Sequence, residues 1–168
     1  MNPRPFNDGA AAGFSRQRRQ LLAGAALVAV LPVARAASAP LPQAVSLADE
    51  LAVALRHGEP LVVMVSLEGC PFCGVARNNY LAPLRAESRL EIVQVDMRTA
   101  RPLRDFQGQP LTHDQMARRW AIKVAPTVLF FGRGGTEVAE RLVGGMLPDF
   151  YGAYLDQRLE DARRATRG

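Results

Sequence analysis

The chain has only two cysteines, Cys70 and Cys73, and two residues separate them. They occur in the segment Gly69-Cys70-Pro71-Phe72-Cys73, directly after the apolar residues 61–66. A cysteine pair with this spacing at the end of a strand can close a small disulfide ring, so the spacing predicts thiol–disulfide exchange. Redox chemistry at this pair is therefore the strongest functional signal in the sequence.

Three other roles for the pair are weaker. A structural zinc site needs four ligands, and the only histidines are His57 and His113. Covalent haem attachment needs a histidine directly after the second cysteine, where this chain has Gly74. A purely structural disulfide remains an open alternative, although a ring this small removes little entropy from the unfolded chain. We therefore expect neither a metal nor an organic cofactor.

Residues 1–36 are predicted to be an export signal. Arg16, Arg18 and Arg19 precede the apolar residues 21–33, and Ala34-Arg35-Ala36 places small residues at the two positions that a signal peptidase recognises. The apolar stretch of about 13 residues is shorter than the roughly 20 that span a bilayer as a helix, which favours cleavage over a permanent anchor. Arg18-Arg19 also resembles a twin-arginine signal, so the export route stays open. These features predict a bacterial periplasmic protein without stable membrane insertion after cleavage.

The chain that remains after cleavage is predicted to be nearly neutral. The signal contains five of the 21 basic and one of the 16 acidic residues, which leaves 16 against 15. This balance argues against binding to nucleic acid or to an anionic membrane surface. We expect residues 37–44 to be a linker, residues 45–162 to form one monomeric domain, and residues 163–168 to be a basic tail, most simply the cation-rich last turn of a helix.

Helix and strand signals alternate along the first half of the domain. Ser46-Leu47-Ala48-Asp49 predicts a capping box that opens a helix ending at His57-Gly58. A buried strand is predicted at residues 61–66, and a second strand with alternating apolar and polar residues at 91–96. Between them, a helix is expected to begin at the cysteines, run through Tyr80 and bend or break near Pro83.

The second half continues the alternation after a polar connection at residues 97–111. Thr112-His113-Asp114-Gln115 predicts another capping box and a helix through Trp120. Two strands, residues 128–131 and 138–143, flank a glycine-rich hairpin turn. Pro148 opens a last helix with a predicted apolar stripe of Phe150, Tyr151, Tyr154, Leu155 and Leu159.

A β-α-β half followed by a hairpin and a final helix, with the cysteines at the first strand-to-helix junction, resembles the thioredoxin fold. Residues 120–131, which contain Ala125-Pro126-Thr127, resemble the family segment that ends in its cis-proline and third strand. Residues 135–145 resemble the hairpin and the glycine, here Gly144, that approaches the active site. The resemblance covers about residues 45–160 and implies an α/β fold, with a central mixed sheet flanked by helices. The long connection before Thr112 is most similar to periplasmic thioredoxin-like proteins, including those of bacterial sulfur oxidation.

The resemblance implies a role for each site residue. Cys70 would be the nucleophile at a helix N-terminus, and Cys73 the resolving thiol. Pro71 would preset the first helical turn, and Phe72 would offer an apolar surface to a partner. Ala125, ahead of a cis Pro126, would pair with an extended substrate strand, with Gly144 nearby.

Three positions depart from the thioredoxin pattern. Met64 stands where thioredoxins carry a buried acid that helps move the proton of the second cysteine. Gly69 replaces the usual tryptophan, and Gln94 replaces a lysine on the second strand. Glu68 could substitute as a proton acceptor, although a solvated loop carboxylate is the simpler role. We assign Trp120 to the core, His113 to its capping box, and His57 to a helix C-terminus.

The sequence therefore predicts an exported thiol–disulfide oxidoreductase that acts on protein thiols and disulfides and exchanges electrons with a membrane redox partner. The alternative is a thioredoxin-fold binding or chaperone-like module with a non-catalytic disulfide. The Cys-Pro-aromatic-Cys order also permits a glutaredoxin-like enzyme, which is weaker because glutathione is not an expected periplasmic reductant. The direction of electron flow stays open.

Overall fold

The structure is a computed structural model that describes residues 40–145 and 148–168. The predicted export signal lies outside these residues. The described chain forms, in order, α1 (Leu47–Arg56), β1 (Leu61–Ser66), α2 (Pro71–Val75), a π-helical segment (Ala76–Leu81), α3 (Ala82–Glu87), β2 (Ile92–Asp96), β3 (Pro102–Arg104), β4 (Pro110–Thr112), α4 (His113–Arg119), β5 (Thr127–Phe131), β6 (Leu142–Val143) and α5 (Pro148–Arg167). Within the described ranges no helix has the length and apolar character needed to cross a membrane.

A four-stranded mixed sheet in the order β2-β1-β5-β6 forms the centre of the fold. β1 runs parallel to β2 and antiparallel to β5, and all six of its residues are buried. Side chains alternate along β1: Val62 and Met64 belong to one apolar cluster, whereas Val63 and Val65 belong to the other. Because both faces of this strand are covered, its sequence is an uninterrupted apolar run. The mixed sheet flanked by helices confirms the predicted thioredoxin fold.

The helix that follows the cysteines continues further than expected. α2 passes into the π-helical segment and then into α3, so the chain stays helical from Pro71 to Glu87. Pro83 is within the first turn of α3 and lacks the N–H that an α-helix would use there. The wider π-helical turn lies directly before Pro83. The bend predicted near Pro83 is therefore a local change of helix type, and the helix does not break.

The capping box predicted at Thr112 is confirmed, whereas the one predicted at Ser46 uses a different acidic residue from the one expected. Thr112 accepts a bond from the Gln115 N–H, and the Gln115 side chain accepts one from the Thr112 N–H, as predicted. Ser46 does accept the Asp49 N–H at 3.4 Å, but the returning carboxylate belongs to Glu50, which accepts the Val45 N–H at 2.8 Å. Burial raises the pKa of Glu50 to about 7, against the lowering effect of the bonds from Val45 and Ser46.

The connection at residues 97–111 is not a plain polar loop. It contains the β3–β4 hairpin, and Leu103 points into the core. Its turn is organised by the buried Asp105, which accepts the Gln107 N–H at 2.9 Å, the Gln109 N–H at 2.8 Å and a bond from Arg119 at 2.6 Å. Burial by itself raises the pKa of Asp105, but the bonds from Gln109, Arg119 and Gln107 outweigh it and lower that pKa on balance.

The strand expected at residues 138–143 is mostly irregular. The turn at Arg133–Gly135 reverses the chain as predicted, and Glu137 forms a bridge with Phe131. Regular pairing resumes only at Leu142, opposite Val128. The returning chain takes five steps from Glu137 to Leu142, while β5 takes three from Phe131 to Val128, so two extra residues bulge out and shorten β6.

The apolar stripe of α5 is narrower than predicted. Tyr151, Leu155 and Leu159 are buried, as expected, and the stripe continues through Ala162 and Thr166. Phe150 and Tyr154, also assigned to the stripe, are instead 56% and 42% exposed. The helix runs through Arg167, so the residues expected to form a basic tail are its last turns. Arg163 and Arg167 there both pair with Glu59.

Part of the expected linker is docked on the domain. Leu41 and Ala44 are buried, and the backbone of residues 42–44 bonds to Gln94 of β2. His113 secures this segment, because its Nε2 lies 2.9 Å from the Ala44 carbonyl oxygen and its Nδ1 accepts the Asp96 N–H at 2.9 Å. His113 is the first residue of the capped helix α4, as assigned, but its side chain is buried in the core and takes no part in the cap. His57 caps the C-terminus of α1, as predicted.

Candidate active site

Cys70 and Cys73 meet where β1 gives way to α2. After Ser66 the chain turns through Gly69, whose φ of 70° lies in the region that favours glycine, and Cys70 becomes the N-cap of α2. The Cys70 Sγ accepts the backbone N–H of Cys73 at 3.2 Å. The two cysteines form a disulfide, and their Cα atoms are 5.3 Å apart. The sequence spacing thus yields the small disulfide ring that it predicts.

The two sulfurs differ in access. Cys73 is 1% exposed and belongs to the same apolar cluster as Met64, whereas Cys70 is only half-buried. Pro71 and Phe72 are exposed at the start of α2, and Phe72 keeps 60% of its accessible surface. An incoming sulfur atom can therefore reach Cys70 but not Cys73.

The electrostatic setting of Cys70 favours a thiolate once the disulfide is reduced. Its sulfur lies at the positive end of the helix that begins at Pro71, next to the Cys73 N–H. The first turn of α2 carries no acidic residue that would oppose the negative charge. A helix N-terminus is one of the settings that lower a cysteine pKa from its ordinary value of about 8.5.

A second loop reaches the sulfur from the side of β5. The Ala125–Pro126 peptide bond is cis, as predicted, and the Ala125 carbonyl oxygen lies 3.7 Å from the Cys70 Sγ. Gly144 donates its N–H to the Pro126 carbonyl at 2.7 Å, and its φ of 80° requires a glycine-like conformation. The structure thus brings the Ala125 carbonyl to Cys70, and Gly144 is joined to this loop through its bond to Pro126.

Gly145, which was not predicted as a site residue, lies under Phe72. A Cβ atom at Gly145 would be 2.9 Å from the Cβ of Phe72, so a larger residue there would displace the aromatic ring. The Gly144-Gly145 pair was the available signal, because two adjacent glycines permit close approach of another part of the chain. Gly145 therefore helps to set the position of the exposed Phe72.

On the other side of Cys70 lies a polar cleft of about 530 Å³ that the sequence did not reveal. It is bounded by the turn after β1, the first turns of the α2 helix, the end of β2 and the residues that follow β2. Charged side chains of both signs line it: Glu68, Arg77, Asp96 and Arg101. Cys70 is part of its wall, so a small molecule in the cleft would lie beside the reactive sulfur.

A hydrogen-bonded chain of side chains forms the floor of this cleft. Arg77 donates to the Gln94 side-chain oxygen at 2.8 Å and to the Ser66 hydroxyl at 3.3 Å. Gln94 in turn donates to Asp96 at 2.6 Å. Gln94, noted as a departure from the thioredoxin pattern, therefore orients the Arg77 guanidinium.

The remaining residues considered from the sequence lie at the margin of the site or away from it. Glu68 is exposed at the rim of the cleft. Trp120 packs on Phe131 with ring centroids 5.2 Å apart, which makes it part of the core. No group of three or more histidine, cysteine or acidic residues in the described ranges could hold a metal ion.

The family model and one solved structure with a TM-score above 0.5 agree with this architecture. Residues 47–159 match the family model of a thioredoxin-like domain. The solved DsbH oxidoreductase is 16% identical, with a TM-score of 0.53 over 78% of this chain and 92% of that one. A thioredoxin from Thermus thermophilus is 26% identical, with a TM-score of 0.47 over 69% of this chain and 85% of that one. At 16% identity the likeness to DsbH concerns the fold alone. No curated protein matches the sequence significantly.

Proposed function

The chain belongs to the thioredoxin-like domain family, and on that premise we propose that it is a thiol–disulfide oxidoreductase that exchanges its Cys70–Cys73 pair with exported protein substrates. The observation that carries the proposal is the asymmetry of the disulfide. Cys70 is accessible at a helix N-terminus, while Cys73 is enclosed behind it. This is the arrangement that a two-step exchange requires.

Each cysteine has a distinct step in the exchange. In the reduced protein the Cys70 thiolate attacks a substrate disulfide, forms a mixed disulfide and releases one substrate thiolate. Cys73 then loses its proton and attacks the Cys70 sulfur, which closes the internal disulfide and releases the second substrate thiolate. Two electrons pass from the protein to the substrate, and the reverse sequence oxidises a substrate dithiol.

The Ala125–Pro126 loop next to Cys70 favours a protein as the substrate. The Ala125 carbonyl lies against the reactive sulfur, and the backbone there can pair with an extended segment that carries the substrate cysteine. Phe72 adds an exposed apolar surface next to the sulfur. We propose that the exchange takes place in the periplasm and that a membrane redox partner restores the protein, on the basis of the export signal predicted from the sequence.

One feature favours the alternative of a binding module with a passive disulfide. Met64 is fully buried in the cluster that contains Cys73, at the position where thioredoxins carry an acid. A thioether cannot accept the Cys73 proton, so resolution would depend on another base.

Trapping of the mixed disulfide tests the proposal. In a reduced Cys73→Ser variant the resolving step is removed, so incubation with an oxidised protein such as insulin should yield a stable adduct through Cys70. Cys70→Ser is the matched control and should yield none. Absence of an adduct with Cys73→Ser, while Cys70 is shown to be free by alkylation, would shift the assignment to the binding module.

A further inference from the structure

The polar cleft beside Cys70 has features of a binding site that protein disulfide exchange does not require. It holds the half-buried Arg77, which Gln94 and Ser66 orient through neutral acceptors. Among the described residues, no carboxylate oxygen lies within 4.0 Å of the Arg77 guanidinium. Since a guanidinium has five N–H donors and these two bonds use two of them, Arg77 retains donors for an anionic group.

The other charged groups of the cleft narrow the class of ligand. Arg101 adds a second cation to the wall, while Glu68 and Asp96 add carboxylates. A ligand that carries a carboxylate beside an ammonium group matches both signs, whereas a simple anion matches only one. The volume of about 530 Å³ is in the range of small-molecule sites, about 300–1,000 Å³.

We infer that this cleft binds a low-molecular-weight thiol or disulfide of amino-acid type, with its carboxylate on Arg77 and its sulfur at Cys70. The inference rests on the proposed function, because it names a second substrate class for the same cysteine pair. The ligand would approach from the side of β2, opposite the Ala125–Pro126 loop that a protein segment would use.

The exchange balances with the ligand as the only co-reactant. A ligand thiolate attacks the Cys70 sulfur of the disulfide, forms a mixed disulfide and releases the Cys73 thiolate. A second ligand thiolate attacks the ligand sulfur of that mixed disulfide, which releases the Cys70 thiolate and the ligand disulfide. Two ligand thiols are oxidised to one disulfide, and the protein disulfide is reduced to the dithiol.

Relative rates with two thiols test this inference. Oxidised protein is mixed with L-cysteine or with 2-mercaptoethanol at equal thiolate concentration, and the rate of Cys70–Cys73 reduction is measured by alkylation and mass spectrometry. We expect L-cysteine to react about tenfold faster with the wild-type chain. Because 2-mercaptoethanol lacks the charged groups, the ratio of the two rates cancels any change in the reactivity of the disulfide itself.

Three variants assign the preference to the cleft. Arg77→Met should bring the ratio to within about twofold, and Arg77→Lys, which keeps the charge, should restore part of it. Arg56→Met is the matched control, because it likewise removes one arginine, here an exposed one. Arg56 ends α1, just before the start of β1, whereas the cleft lies at the other end of β1. If Arg77→Met does not unfold cooperatively, the exposed Arg101→Met replaces it and should lower the ratio at least twofold.

The outcomes separate this inference from the proposed function. An unchanged ratio in Arg77→Met, or no preference for L-cysteine in the wild-type chain, overturns the inference while insulin exchange by Cys73→Ser still supports the oxidoreductase. If no variant reacts with either thiol or with insulin, both the proposed function and the inference fail. An equal loss in Arg56→Met would show that net charge, rather than the cleft, sets the rate.

Discussion

Replacement of His113 tests whether its ring fastens residues 42–44 to β2. Replacement by alanine removes the acceptor of the Asp96 N–H and the partner of the Ala44 carbonyl, both 2.9 Å from the ring. Ala44 is fully buried, and Asp96 is partly buried. Each of these two unsatisfied groups costs about 1–3 kcal/mol, so we expect His113→Ala to lower the free energy of unfolding by about 2–6 kcal/mol. That is a large part of the roughly 5–15 kcal/mol of a typical domain.

The measurement is urea unfolding at pH 7.5, followed by the fluorescence of the one tryptophan, Trp120, which packs on Phe131. His57→Ala is the matched control, since His57 is the only other histidine and its side chain is exposed. An exposed substitution of this kind should change the stability by no more than about 0.5 kcal/mol. A loss below about 1 kcal/mol in His113→Ala would refute the view that this ring fastens residues 42–44 to β2.

The same residue predicts a pH dependence of stability. Burial lowers the pKa of His113 from its ordinary 6.5, aided by Arg101 and opposed by the bond to Ala44 and by the charge of Asp96. The unfolded chain therefore binds a proton more readily than the folded one. Stability is full above about pH 6.5 and falls as the pH drops from there towards the lowered pKa. The ring resonances of His113 should titrate below pH 6.5, and titration above that pH would refute the assignment.

Three further predictions follow from other residues. In the reduced protein at pH 7, iodoacetamide should modify the accessible Cys70 at least tenfold faster than the enclosed Cys73, and equal rates would argue against their assigned steps. Asp105→Asn should lower the free energy of unfolding by about 2–4 kcal/mol in urea titrations, because it removes the buried charge that Arg119 and two backbone N–H groups contact. The control Asp156→Asn, on the exposed face of α5, should leave the free energy of unfolding nearly unchanged. Glu50, with its pKa raised to about 7, should make the folded state lose stability as the pH rises from about 4.5 to about 7. After discounting for solvent screening, the loss should be on the order of 1 kcal/mol, and Glu50→Gln should remove it in pH-dependent unfolding.

Local patterns were enough to predict the centre of the site. The apolar run of β1 and the cysteine spacing are both short-range features, because a buried strand and a helix N-terminus are specified within a few residues. The position of Ala125–Pro126 came from the family resemblance rather than from any physical pattern. Sequence alone does not distinguish a cis from a trans X-Pro bond.

The cleft could not be predicted in this way because its residues meet only through strand register. Ser66 and Asp96 are neighbours because β1 and β2 pair in parallel with Met64 opposite Gln94. The Arg77 side chain then joins the strands from the helix, 11 residues from Ser66 and 17 from Gln94 along the chain. The buried role of the His113 side chain was missed for the same reason, since its place in the capping box is local but its partners Asp96 and Ala44 are distant along the chain.

The docked residues 42–44 also protect the sheet. β2 is its outermost strand, and an exposed strand edge is a template on which a second chain can add. Gln94, at the middle of that edge, donates to the Pro42 carbonyl and accepts the Ala44 N–H, both at 2.8 Å. Pro42 has no N–H of its own, so the short cover strand cannot itself pair far outward. Residues 42–44, a few positions past the expected cleavage site, thus shield this edge against edge-to-edge aggregation, and a chain trimmed past Ala44 would expose the edge that they cover.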